Sequence, residues 1–210
     1  MSDRQNSAAA GALSHIRVVE SGDIPASYAT RHLADLGADV IKVEPPGGDR
    51  NRLLPPFAGE IEHPERSLTF INANTNKRSI VLDLEGSAAD REILAKLLAS
   101  ADLFVEATPL GQLDSLGFND ERLLQIHPGL VTVSLTPFGR TGPYRSYKGS
   151  DAIANASGGF LYAQGNDQRG PCTAPSHLAY QMAACLAAAL GLAGIRHARK
   201  TGAGQRIDIS

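Results

Sequence analysis

Few residues of this sequence stand at spacings that do chemistry by themselves. Its six histidines (15, 32, 63, 127, 177 and 197) include no pair at metal-ligand spacing, and Cys172 and Cys185 stand thirteen apart, so neither a metal site nor a disulfide framework is expected. The turn Glu20-Ser-Gly-Asp-Ile-Pro25 lacks the Gly-x-Gly-x-x-Gly that brings a pyrophosphate onto a helix N-terminus, and there is no Walker lysine loop; a nicotinamide site is not expected. What remains is anion-binding and turn chemistry: the pair Lys77-Arg78, the loop Pro45-Pro46-Gly47-Gly48-Asp49, and Phe138-Gly-Arg-Thr-Gly-Pro-Tyr144. Lys and Arg make the charge-assisted bonds that hold phosphates. Taken singly, each segment reads equally well as plain structure, a solvated charge pair or turn glycines.

The elements that must position these residues alternate between β-branched runs and helical patterns, the mark of parallel strands joined by crossover helices. His15 to Val19 reads as a strand, Pro25 opens a helix with Ala29, Leu33 and Leu36 on one face, and Asp39 to Val43 is a second strand. Further strands are expected over Ser79–Asp83, Leu103–Glu106, Leu130–Leu135 and Arg206–Ile209, with helices near 87–100, 119–126, 151–156 and 177–198. Pro45 to Arg66 reads as a long surface binding loop or lid. The fold class is α/β, a Rossmann-like doubly wound parallel sheet, with residues 1–14 as a frayed tail and 15–210 as one domain that stops abruptly.

Composition bounds the partners. The chain has 210 residues, 42% of them hydrophobic and 20% charged, with 20 Lys+Arg against 22 Asp+Glu. Such a balance gives no positive field for nucleic acid or anionic lipid. The apolar run Met182–Ile195 is shorter than the ~20 residues a bilayer needs and reads as a buried helix, so no membrane span is expected. The polar, Ala-rich N-terminus lacks the layout of a secretory signal, and free cysteines suit a reducing compartment, so the cytoplasm is the expected location.

Three segments together are more specific than any alone. Tyr28 to Asp49, Asn74 to Asp83, and Phe138 to Tyr144 followed by Gly149-Ser-Asp151 resemble successive signatures of the family III coenzyme A transferases (CaiB/BaiF, formyl-CoA transferase-like). Arg199-Lys-Thr-Gly-Ala-Gly-Gln-Arg-Ile-Asp-Ile209 resembles the element that follows. The resemblance implies a Rossmann-like large domain, incomplete here, with coenzyme A or acyl-CoA across the carboxyl ends of the strands. It implies transfer of coenzyme A from an acyl-CoA donor to a carboxylic acid, and an interlocked homodimer or a heteromer with a related chain. The coenzyme's adenine end is expected near Glu44, Pro46 and Gly47, with Lys77 and Arg78 near the phosphates and Thr108 in the loop that follows the Glu106 strand.

The same resemblance marks departures. Relatives use an aspartate near the start of the long helix, which attacks the acyl-CoA to give a mixed anhydride before the returning thiolate makes an aspartyl-CoA thioester. Tyr180 occupies that position, and no Asp or Glu stands between Arg169 and Ile207. A phenol of pKa ~10 is protonated at neutral pH and does not replace a carboxylate nucleophile. Where relatives have Asn-Phe-Arg-Pro-Gly this chain has Ala107-Thr-Pro-Leu-Gly111, and a basic position becomes Ser115. Related racemases carry a His where Ser150 stands, and Asp151 reads as the N-cap of the following helix. Two readings follow: an active CoA-transferase, or a catalytically degenerate half or structural subunit that completes the dimer around an active partner.

Overall fold

The computed structural model describes residues 11–174 and 176–210; residues 1–10, most of the expected tail, and Pro175 lie outside them. Residues from 11 onward already belong to the fold. Leu13 donates its N–H to Leu36 O at 3.0 Å and packs on the core.

Among the described residues six strands form one sheet: β1 (Arg17–Gly22), β2 (Asp39–Glu44), β3 (Arg78–Val81), β4 (Leu103–Ala107), β5 (Val131–Leu135) and β6 (Arg206–Ile209). All neighbours are parallel, in the order β3-β2-β1-β4-β5-β6. Among the described residues seven α-helices accompany them: α1 (Ile24–Asp35), α2 (Leu68–Asn74), α3 (Ala88–Ala99), α4 (Gln112–Ser115), α5 (Asp120–Ile126), α6 (Asp151–Ser157) and α7 (Leu178–Thr201). Both sheet faces are covered, which is why the central strands are continuous apolar runs. Val18, Val40, Leu103, Val105, Val131 and Val133 face α1 and α7. Their neighbours Val19, Val43 and Phe104 face α3, α4 and α5.

Side-chain chemistry sets the helix ends. Asp23, Ser87 and Asn119 accept N–H bonds at the starts of α1, α3 and α5. Gly202, at φ 76°, closes α7 with its N–H on Ala198 O, a conformation that costs glycine little. α2 and α4 are not legible in the sequence; α2 lies under Pro- and Asn-rich flanks and α4 is a single turn.

α7 departs from the buried helix expected. It runs for 24 residues and is long and apolar enough to cross a membrane by length and composition alone. Here it lies on the sheet through Ala184, Ala187, Gly191 and Gly194, while Met182, Leu186 and Leu190 are exposed. Gly191 and Gly194 let the helix axis approach Leu103 and Val131 closely.

Candidate functional site

The sheet reverses its direction of winding between β1 and β4, and in open parallel sheets ligands bind in the crevice at the carboxyl ends beside such a point. Here the two strand ends touch. Gly22, at φ 101°, closes β1 against Ala107, and a Cβ there would lie 2.6 Å from the Ala107 carbonyl. Asp23 follows, accepting the Ile24 N–H at 2.8 Å and an Asn51 Nδ2–H at 3.2 Å, and pairing with the exposed Arg50.

The loop after β2 lies mostly on the surface, as expected, but Asp49 and Asn51 turn inward. Glu20, Lys42, Asp49 and Asn51 are all buried. Glu20 accepts from Ser27 and Thr30 (both 2.6 Å), from Lys42 Nζ at 2.7 Å and from Lys77 Nζ at 2.8 Å. Lys42 Nζ also lies 2.7 Å from Asp49, whose other oxygen accepts the Asn51 N–H at 2.8 Å. Burial pushes the Glu20 carboxyl up, but Lys42 and Lys77 overcome this and hold it well below the usual carboxylate range. Burial wins for Lys77, which is lowered to about 8 despite Glu20. For Lys42, burial is outweighed by Glu20 and Asp49, and its pKa is raised.

Glu44 ends β2 beneath this loop. It accepts two bonds from Arg52 (2.7 and 2.9 Å), the Asp49 N–H at 2.9 Å and the Ser79 hydroxyl. Burial opposes its ionisation, yet these donors lower its pKa to about 2. Pro46 and Gly47 form the exposed tip of the turn, which Gly48 N–H closes onto Pro45 O at 2.9 Å.

On the other side of the reversal, Thr108 N–H and hydroxyl both donate to Glu106, at 3.0 and 2.7 Å. The other Glu106 oxygen lies 3.5 Å from Arg206 and 3.7 Å from Arg140. Arg206 also reaches Asp120 at 2.6 Å. The Arg140 backbone N–H is held by Asp208 at 2.8 Å, which fixes the 138–144 segment over β6. Ser115 donates to Gln112 O at 2.7 Å and presents no charge.

Tyr180 lies in the first turn of α7, half-buried, its ring stacked on His177 at 5.9 Å with 10° between planes. His177 and Ser176 both take positive φ (57° and 61°), the left-handed region that non-glycine residues adopt only when their surroundings enforce it. Burial, then Asp151, raises the Tyr180 pKa, so its phenol is neutral at physiological pH. Asp151 is not the N-cap of its own helix. Ser150 fills that role, accepting the Ile153 N–H at 3.3 Å, while Asp151 Oδ1 accepts the Tyr180 N–H at 3.0 Å. The short hydroxyl fits a local cap, which frees the carboxylate to serve the neighbouring helix.

The sequence model described as CoA-transferase family III matches residues 13–210 of this chain. The chain belongs to that family. It is 40% identical over 197 residues to the succinyl-CoA:(R)-benzylsuccinate CoA-transferase subunit BbsE of Thauera aromatica, covering 94% of this chain and 48% of that protein. The succinate–glutarate CoA-transferase of Agrobacterium fabrum is 37% identical over 205 residues, covering 94% and 50%. The crystal structure of a CaiB/BaiF family protein from Brucella suis superposes with a TM-score of 0.88 at 33% identity, over 96% of this chain and 53% of that one. The chain thus spans about half the length of the curated relatives it matches.

Within this family III domain the residues named from sequence separate into two groups. Glu44, Pro46, Gly47, Thr108 and Tyr180 lie around the carboxyl ends of the strands. Lys77 turns inward, its ammonium shared among Glu20, Ser27 O and Asn74, so it has no proton left for a phosphate. Arg78 starts β3 and pairs with Asp39 at the amino end, away from the crevice. Sequence reasoning missed Arg50 and Asn51. Their signal was present in the alternation of charge and amide after Gly48, but which side chains turn inward depends on Lys42 and Asp23, distant in sequence.

Proposed function

We propose that this chain is the large-domain part of a family III CoA-transferase assembly that moves coenzyme A from an acyl-CoA donor to a carboxylic acid, and that the covalent nucleophile comes from another chain or domain. Tyr180 carries this reading: a neutral phenol stands where the acyl-accepting carboxylate is required, and a phenol does not form the mixed anhydride. That BbsE is named as a subunit agrees with a divided enzyme. The crevice offers the coenzyme a rim cation in Arg50, 77% exposed, and a hydroxyl and open turn in Thr108 to Gly111. These suit the phosphates better than Lys77 and Arg78 do. The chain's own contribution is a rigid floor that orients the thioester.

A second reading rests on Asp151, the carboxylate fixed 3.0 Å from the Tyr180 N–H. In it the chain is itself catalytic, with Asp151 attacking the acyl-CoA carbonyl as the CoA thiolate departs. Peptide mass mapping decides between them. The natural assembly is incubated with acyl-CoA donors, quenched in acid and digested. An adduct confined to another domain or chain supports the first reading. One on Asp151 or any other residue of this chain overturns it.

A further inference from the structure

Two loops leave the sheet side by side at the crevice, one after β4 and one after β5, and a single buried side chain reaches both. Glu106 stands opposite Ser134 in the register of β4 with β5. A carboxylate withdrawn from water persists only where partners answer it. Its two oxygens divide that work. Oε2 accepts the Thr108 N–H at 3.0 Å and the Thr108 hydroxyl at 2.7 Å, which ties down the start of the 108–111 loop. Oε1 faces Arg206 Nη1 at 3.5 Å and Arg140 Nη1 at 3.7 Å.

The two arginines depend on it unequally. Arg206 also has Asp120 at 2.6 Å and donates to the Ser134 hydroxyl at 2.5 Å. Arg140 stands among Glu106, Asp114 and Asp120 at 3.7, 3.7 and 3.9 Å. The Asp114 and Asp120 side chains are 43% and 55% exposed, against 2% for Glu106. Solvent therefore screens the two aspartates, and Glu106 gives the Arg140 guanidinium its strongest hold. Thr108 needs only an acceptor oxygen, which a glutamine would supply; the charge of Glu106 serves the arginines.

We propose that Glu106 is a positioning residue of the crevice: one buried carboxylate fixes the 108–111 loop through Thr108 and the 138–144 segment through Arg140, and so sets the gap between them that the coenzyme enters. This role rests on the reading of the crevice as the coenzyme site.

Two measurements on the natural assembly test it: isothermal titration calorimetry with coenzyme A, and initial rates of trypsin cleavage after Arg140, read by mass spectrometry against cleavage after Arg145. Glu106→Gln keeps an acceptor for Thr108 and removes the charge facing Arg140. Cleavage after Arg140 should quicken at least about fivefold relative to Arg145, and coenzyme affinity should fall about tenfold. In an Arg140→Gln background the same substitution should change affinity less than about twofold, because residues that act through one contact are not additive. Arg140→Gln and Thr108→Val lie nearer the surface and carry the test where Glu106→Gln does not fold: each should weaken coenzyme binding, and no loss from either overturns the role. Asp102→Asn, just before β4 at its amino end, weakens the bonds to Arg17 and Arg199 and should leave affinity unchanged. An unaltered cleavage ratio in Glu106→Gln, equal affinity losses in both backgrounds, or a matching loss in Asp102→Asn would overturn the positioning role alone. A wild-type assembly that binds no coenzyme A would overturn the crevice reading, and the role with it.

Discussion

Asp151 Oδ1 accepts the backbone N–H of Tyr180 at 3.0 Å across 29 residues of chain. A carboxylate at a helix N-terminus satisfies an orphan donor and meets the positive end of the helix dipole. The first turn of α7, which has no acidic residue of its own, thus receives a carboxylate from α6. Asp151→Ala should cost about 1 kcal/mol. Asp151→Asn should recover part of that, and urea unfolding at low and high salt should show the Asp–Asn difference shrinking with salt.

Lys77 and Arg78 are adjacent in sequence and opposite in role. Lys77→Met leaves Glu20 buried with one cation fewer and should destabilise by about 3 kcal/mol. Arg78→Gln removes a pair whose arginine side chain is 64% exposed and should fall within about 0.5 kcal/mol. Urea midpoints at neutral pH compare them directly, and equal losses would contradict the inward placement of Lys77.

The glutamates of the crevice floor predict acid lability. Glu44 titrates at about 2 in the fold against 4.5 unperturbed, and Glu20 is lowered as well. A depressed carboxylate binds fewer protons folded than unfolded, so its stabilisation is complete above pH 4.5 and is lost as pH falls toward its folded pKa. Unfolding free energy should therefore drop between pH 4.5 and about 2, and Glu44→Gln should flatten part of that slope. A wild-type profile level through this window would refute the assignment.

Gly194 sits where α7 comes nearest the sheet. A Cβ there would lie 2.8 Å from Val131 Cγ1 and 3.3 Å from Ile207 Cδ1. Alanine gains about 1 kcal/mol of helix propensity over glycine, yet overpacking costs about 1–3 kcal/mol. Gly194→Ala should be net destabilising in thermal unfolding, and a raised Tm would show that the contact is loose.

The parallel sheet was legible because strands buried on both faces leave continuous β-branched runs, and Pro25 and Gly37 punctuate the first crossover. The shared direction of Lys77 with Lys42 and Asp49 was not legible. A Lys-Arg pair before a strand looks alike whether it faces solvent or a buried glutamate, and only the pairing of β3 with β2 decides. Asp151 was missed for a similar reason: a local capping rule sees Asp151 and the start of α6, but not α7 arriving beside it. Tyr180 falls in the first turn of α7 because the helix begins where the apolar pattern from His177 begins.

Asp49 joins Lys42 below and the Glu44 carboxylate through its own N–H, and this bears on the tempo of the crevice. Lifting Asp49 would strand a buried ammonium without one of its counter-charges, so this stretch of the loop should open less readily than its exposed remainder. The Asp49 and Asn51 amide protons should then exchange with solvent as slowly as those of β2. Ligand arrival at this end meets a surface already set, and little ordering entropy is left to be spent at the moment of encounter.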